Sequence, residues 1–279
     1  MTALDSTDTT SGTTDRRSGS PFSDTVVVTW RNLKRIPRIP ELAAFAILQS
    51  VMFVLLFAFV FGGAIDVPGG SYREFLMPGI FAQTLAFASA TTTIGITDDM
   101  QKGLVDRFRS LPMVRSAFLT GRTVADVVYN AGILIVLMLS GLAVGWRIRD
   151  GVLSFLAGFA IALFFAYAMS WLGVFVGQLV PTVEVAQQVA FTTVFPITFI
   201  SNAFVPLESL PGWLQPIAEW NPVSTLTASM RDFFGNTLGQ PPRDTFPAEH
   251  PVLLTVLWCL AIIAVFAPLA VRRYRDTSR

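Results

Sequence analysis

The 279-residue sequence holds few side chains equipped for bond-making chemistry. One histidine, His250, and one cysteine, Cys259, exclude an internal disulfide framework and leave too few ligands for a transition-metal site. Neither of the two lysines, Lys34 and Lys102, follows a glycine, so no G-x-x-x-x-G-K-S/T loop exists to hold phosphates. Hydrolysis of ATP by that chemistry is excluded. Ion-coupled transport calls for acids or bases deep within a membrane segment. Only Asp126 lies inside an apolar stretch, two residues from its start, where a snorkelling or helix-start role is expected ahead of proton relay. Glu184 precedes another stretch, as a favourable charge at a helix N-terminus. His250 and Cys259 are expected to be structural or incidental.

The elements that must position any function are apolar on an unusual scale. Hydrophobic residues make up 52% of the chain and charged residues 14%, against about 25% charged in an ordinary soluble domain. Six stretches, 42–64, 75–97, 124–145, 151–177, 185–205 and 252–271, carry no charge except Asp126. Each has 20 to 27 residues, and about 20 suffice to cross a hydrocarbon core of roughly 30 Å. The expected fold is an all-α integral membrane protein with six transmembrane helices. A soluble enzyme is excluded, and a net charge of +1 gives no reason to expect nucleic acid as a partner. Lys and Arg accumulate in cytoplasmic loops. With both termini cytoplasmic, fifteen basic residues fall inside and five outside, so that multi-pass orientation is expected. Residues 1–20, with ten Ser or Thr, read as a disordered cytoplasmic tail, and 272–279 as a basic one. The first apolar stretch starts after residue 40 and is long enough to span, so no signal peptide is expected.

Three segments between the stretches have patterns of their own. Phe22, Val26, Trp30 and Leu33 fall within roughly an 80° arc of a helix, opposite Arg31, Lys34, Arg35 and Arg38. Residues 22–36 therefore read as an amphipathic helix lying on membrane lipids at the inner interface, ended by Pro37 and Pro40. Val27 and Val28 fall off its apolar face. The loop 98–123 is too long for a plain connector. Its stretch G-L-V-D-R-F-R-S-L-P, with Gly103, Leu104, Arg107, Phe108, Arg109, Leu111 and Pro112, sets apolar knobs beside charges. Such a loop is a handle for another protein, and force on it would move both flanking spans. In the outer loop, 206–251, Pro206, Pro211, Pro216 and Pro222 cut the chain into short pieces. Trp213, Trp220 and Asn221 lie among them, and Val223, Leu226, Met230 and Phe233 share one helical face. These pieces read as short helices dipping into the outer leaflet over the outer mouth, with the tryptophans at headgroup depth. Arg231 is expected in a surface salt bridge with Asp232 or Glu219, or else facing phosphate.

Two patterns stay open. Thr84, Ser89, Thr91, Thr92, Thr93 and Thr97 either line a polar path or let helices pack closely. Gly141 with Gly145, and Gly173 with Gly177, are weak signals of close packing.

Taken together, these segments resemble the membrane subunit of ABC type-2 exporters, especially the daunorubicin/doxorubicin-resistance branch of actinobacterial drug and lipid exporters. The resemblance rests on the helix before the first span, on residues 103–112, and on F-V-P-L-E-S-L-P-G-W-L-Q-P-I-A-E-W-N-P-V from Phe204 to Val223, running on to Arg231. It covers residues 21–271 as one transmembrane domain. It implies a permease subunit of the bacterial cell (inner) membrane. With a second permease copy or a homologous permease, the chain would form a dimeric path for a hydrophobic or amphipathic substrate such as a drug, lipid or glycolipid. An ABC ATPase subunit would dock on the inner loop. ATP and magnesium would belong to that partner, with no cofactor in this chain and no enzymatic activity of its own. An ATP-independent channel or secondary transporter for small hydrophobic compounds is the alternative, disfavoured by the lack of charges at midplane.

Overall fold

The computed structural model describes residues 21–35, 48–49, 51–61, 71–103, 115–237 and 244–276, and every regular element among them is helical. In chain order these are α1 (Pro21–Arg35), α2 (51–61, closing in a π-turn at Phe57–Phe61), α3 (Tyr72–Ala86), α4 (Ala88–Gln101) and α5 (Arg115–Val144). There follow α6 (Gly151–Gly177), α7 (Val183–Phe199), α8 (Gln215–Glu219), α9 (Pro222–Phe234), α10 (Phe246–Glu249) and α11 (Pro251–Asp276). Among the described residues, four stretches are long and apolar enough to cross a membrane: Tyr72–Gln101, Phe118–Val144, Gly151–Gly177 and Pro251–Tyr274. The chain is an all-α integral membrane protein. The first expected span, 42–64, is described only at 48–49 and 51–61, and the tails at 1–20 and 277–279 lie outside the described residues.

Helix α6 is the central post. It is apolar all round and packs against α3, α4, α5, α9 and α11, as expected of a helix surrounded by protein and lipid. Its contact with α4 is built from glycine and hydroxyl groups. A Cβ on Gly173 would lie 2.4 Å from the Ser89 carbonyl oxygen, and one on Gly177 would lie 2.8 Å from that of Thr93. The Thr93 hydroxyl sits 2.7 Å from its own i−4 carbonyl at Ser89 and 3.2 Å from the Gly173 carbonyl across the interface. One turn on, Thr97 stands in the same way between Thr93 and Gly177. Four of the six small polar residues, Ser89, Thr92, Thr93 and Thr97, are buried. Packing is therefore their role. The pair Gly141 and Gly145 is different: Gly141 meets Met77 and Trp146, whereas Gly145 ends the helix with φ +107° and has nothing near its Cβ position.

The two ends of the bundle differ. At one end α1 lies on the start of α5, with Val28 against Gly121 and the Thr29 hydroxyl 3.1 Å from the Gly121 carbonyl. A small cluster of Val28, Ile96, Phe118, Leu119, Trp171, Val174 and Tyr274 closes that end. The apolar face expected on α1 is not the one that packs. Val26 and Trp30 are exposed, Leu33 is half-buried, and Val28, thought to fall off the face, is the knob. Helix α1 thus carries two apolar edges, and Val28 fills the space that a side chain at position 121 would take.

At the other end α9 is sunk among α3, α6 and α11. Asn221 caps it, its side chain accepting from the Val223 N–H at 2.8 Å, with Pro222 in the first turn. Gly235 ends it at φ +69°: its N–H donates to Asp232 and the Asn236 N–H to Arg231, a Schellman closure. The Asn236 side chain then accepts from the Trp146 indole at 2.7 Å and donates to the Arg147 carbonyl at 3.1 Å. The α9 C-terminus is thereby locked to the turn between α5 and α6.

Two of the expected spans are not single continuous helices. The stretch 75–97 is divided by a one-residue break at Phe87 into α3 and α4. The stretch 185–205 leaves the helix after Phe199, because its backbone groups find other partners. The Asn202 N–H donates to the Ser224 hydroxyl, the Ala203 N–H to that of Ser201, and the Tyr72 hydroxyl donates to the Phe204 carbonyl. Non-helical backbone at membrane depth is tolerated only where protein satisfies it in this way. Gly79 admits the turn, since a Cβ there would meet the Ala203 oxygen at 1.9 Å.

The glycine–threonine contact sets the distance between α4 and α6. Gly173→Ala is expected to destabilise the protein by about 1–3 kcal/mol through overpacking, read as a lowered thermal midpoint in detergent. Gly132→Ala, with nothing within 4 Å of its Cβ, should leave the midpoint unchanged.

Candidate functional site

At the α9 end, the guanidinium of Arg231 is buried between α9, α3 and the turn after α7. Its Nη2 donates to the carbonyls of Phe75 at 3.0 Å and Asn202 at 2.9 Å, and its Nε to that of Phe75 at 3.2 Å. The plane stacks on the Phe75 ring at 3.7 Å. The surface salt bridge expected of this residue does not exist: no carboxylate lies within ion-pair distance of Arg231 among the described residues. The reason is the helical face. Arg231 follows Met230 and projects with it toward α3, whereas Asp232 is exposed. Of the shared helical face, Val223, Leu226 and Met230 belong to the main apolar core. Of the outer-loop residues singled out, Trp213 is 73% exposed and Trp220 half-exposed, while Asn221 and Arg231 are buried. Pro211 is exposed, and Pro206 and Pro222 are half-buried. Beside Arg231 a cavity of about 230 Å³ is lined by Asn202, Glu208, Glu219, Thr225 and Asp232.

At the α1 end, three charges meet where α4 and α5 approach the loop between them. The Arg122 Nη1 donates to Asp99 at 3.0 Å and its Nε to Asp126 at 3.2 Å. The Thr92 hydroxyl donates to the other oxygen of Asp126 at 2.7 Å. Asp126 is therefore neither snorkelling nor starting a helix. It is the second carboxylate of a largely buried cluster that ties α4 to α5, where removing one partner would strand a charge. Lys102 pairs with Asp98 one turn nearer the loop, and Gly103 follows in the left-handed region at φ +63°. Leu104, Arg107, Phe108, Arg109, Leu111 and Pro112 lie outside the described residues.

Between these ends runs a face that the described residues do not cover. Helix α7 buries only Ala186, Ala190, Val194 and Thr198, one stripe at four-residue spacing against α4. Its remaining surface carries Phe191, Phe195 and Phe199 together with Gln187, Gln188, Thr192 and Thr193, all exposed. The Gln188 amide reaches only the Thr192 hydroxyl, at 3.2 Å. Phe191 meets Phe87 at a centroid distance of 5.7 Å, which brings this flank of α7 beside the edge of α3 and α4. Along that edge Thr84 and Thr91 remain at the surface, the two threonines not consumed by packing. Glu184 sits in the first turn of α7, fully exposed, where its own backbone N–H and the Thr182 hydroxyl hold its carboxylate below the usual range.

Sequence reading missed the Arg122 cluster. The available signal was the four-residue spacing from Arg122 to Asp126, which puts them on one helical face. The third member, Asp99, comes from another helix.

Arg231→Met is expected to lower stability by about 2–4 kcal/mol, since it removes the donor shared by two buried carbonyls and keeps only the packing. Arg231→Lys should fall between, lacking the planar fork that reaches both. Thermal unfolding in detergent reads both changes.

The chain is similar to known proteins along most of its length. The daunorubicin resistance ABC transporter permease protein DrrB1 of Streptomyces coeruleorubidus is 29% identical over 92% of this chain and 87% of its own. The probable doxorubicin resistance ABC transporter permease protein DrrC of Mycobacterium tuberculosis is 27% identical over 84% of this chain and 81% of its own. A putative transport permease, ycf38, of Cyanophora paradoxa is 24% identical over 73% and 71%. The ABC-2 type transporter family matches residues 23–234, from α1 through the buried Arg231 to the last residue of α9, and the chain belongs to that family.

Proposed function

We propose that this permease moves polycyclic or otherwise amphipathic compounds along the uncovered face of α3, α4 and α7, driven by a separate ATPase subunit. The observation that carries the reading is the composition of that face. Hydrocarbon leaves glutamine amides and threonine hydroxyls unsatisfied, so Gln187, Gln188, Thr192 and Thr91 suit water, cargo or another chain. The phenyl rings of Phe87, Phe191 and Phe195 beside them suit flat apolar ring systems. The relatives' names attach them to daunorubicin and doxorubicin resistance, and compounds of that type combine rings with hydrogen-bonding groups.

The chain lacks a phosphate-holding loop, so the work must enter from outside. In this reading an ABC ATPase grips the loop from Gly103 to Pro112 on the cytoplasmic side, where both chain termini also lie. It pulls on α4 and α5 together, because Arg122 ties them. Helix α1, with Phe22, Val26, Trp30 and Leu33, lies at the same interface and rides on α5 through Val28. A second permease copy or a homologous permease faces α7 and completes the path. The wall offers no ring of fixed charge of the kind that selects inorganic ions.

Phe108→Ala and Leu111→Asp are each expected to weaken co-purification with the ATPase roughly ten- to hundredfold, the equivalent of about 1.5–3 kcal/mol per buried side chain. The permease should still assemble in the membrane. Unchanged ATPase binding in both variants would remove the loop from the docking role. Gln188→Leu should reduce ATP-driven uptake of a fluorescent amphipathic compound into inside-out vesicles without loss of ATPase binding. Full activity there would move the path elsewhere.

A further inference from the structure

The cavity beside Arg231 is built from acceptors. Glu208 and Asp232, both exposed, open it to the surface, and half-buried Glu219 forms part of its wall. Its deeper lining is buried and polar, with Asn202, Thr225 and Arg231. Asn202 is only 9% exposed, and its Oδ1 meets no donor among the described residues. A buried acceptor left in that state is costly. The Thr225 hydroxyl gives its proton to the Pro222 carbonyl at 3.0 Å, so it too offers a lone pair. Glu219 accepts from the Thr245 hydroxyl, and a carboxylate has capacity for further donors. Arg231 is the one cation among the lining residues, and its Nε and Nη2 are committed to the carbonyls of Phe75 and Asn202. Three carboxylates against one guanidinium leave the cavity acidic.

We propose that this cavity binds a primary ammonium group, carried either by a lipid headgroup such as phosphatidylethanolamine or by a small soluble amine. An ammonium supplies three N–H donors and a charge that carboxylates match. An anion would meet three carboxylates instead. A metal ion fits less well, because no group of three acidic, His or Cys side chains among the described residues is placed to hold one. Size narrows the ligand further. The volume of about 230 Å³ is below the roughly 300–1,000 Å³ that encloses a drug-sized molecule, so the cavity takes a headgroup rather than a whole polycyclic compound. Its carboxylates come from three separate pieces, the turn Leu207–Ser209, α8 and α9, and a bound ammonium ties them together at the α9 end. The site stands whether or not cargo runs along α7.

The test follows the thermal midpoint of the purified chain in phosphatidylcholine nanodiscs. Titrated ethanolamine should raise it with an apparent affinity about tenfold above that of choline, which has the same charge and no N–H on its nitrogen. In a second arm, phosphatidylethanolamine replaces part of the phosphatidylcholine and no soluble amine is added. The double variant Glu219→Gln with Asp232→Asn keeps the shape and removes two charges, and it should lose the response in both arms. A response to one probe or both supports the site and names the source. No response to either, or a response that the double variant retains, would overturn the inference. Should the double variant fail to fold, seen in its midpoint without amine, Glu208→Gln at the exposed mouth decides by the same comparison.

Discussion

Hydrocarbon supplies no hydrogen bonds, and the architecture of this chain follows from where its polar groups find partners instead. Threonine hydroxyls on α4 stand against carbonyls of α6, which requires Gly173 and Gly177 and brings the two backbones close. Arg231 spends its donors on two carbonyls and so pins α9 and the 200–205 turn to α3. Asp126, Asp99 and Thr92 surround Arg122. Against that background the exposed amides and hydroxyls of α7 stand out. They are polar groups that the described residues leave exposed on an otherwise apolar helix, and a surface of that kind suits something other than lipid.

The same pairing divides the molecule into a firm part and a responsive part. The end holding α9 is locked by Asn236 to Trp146 and Arg147, and by a backbone bond from Arg149 to Phe234. At the opposite end a charged cluster joins α4 and α5. The Arg122 guanidinium ties these two helices near the loop that joins them, and α1 packs along the start of α5. Displacement of that loop therefore passes to α4, α5 and α1 together, while α9 keeps the far end in register. In the proposed reading, this gives a partner's nucleotide cycle a rigid frame at one end and a lever at the other.

How much of this is legible in the sequence depends on the range of the interaction. Apolar runs of 20 or more residues, charged only at Asp126, mark α5, α6 and α11, because membrane length is written in consecutive residues. The unbroken apolar run through 205 hides the end of α7, since the partners that release its backbone, Tyr72 and Ser224, lie on other helices. Arg231 reads as a surface charge because Asp232 and Glu219 are near in sequence, whereas its carbonyl partners are 156 and 29 residues away. The threonines of α4 leave two readings open, and only the position of α6 decides between them: Thr92, Thr93 and Thr97 pack, and Thr91 does not. For α1 the strongest apolar arc is not the packed edge, because Gly121, which receives Val28, is invisible to periodicity. The family resemblance carries across most of the chain despite these misreadings, since it draws on local motifs.

The central claim is that the edge of α4 and the outer flank of α7 face an aqueous or cargo-filled path. Spin labels at Thr91 and Gln188, in a Cys259→Ser background, measure it directly through collision with a water-soluble nickel reagent and with oxygen. Leu139 on the exposed side of α5 serves as the lipid-facing reference. The account predicts that positions 91 and 188 collide with nickel in at least one nucleotide state of the reconstituted transporter, and that their accessibility changes when ATP is trapped on the partner. Lipid-like oxygen collision at both positions, matching residue 139 and indifferent to nucleotide, would contradict it.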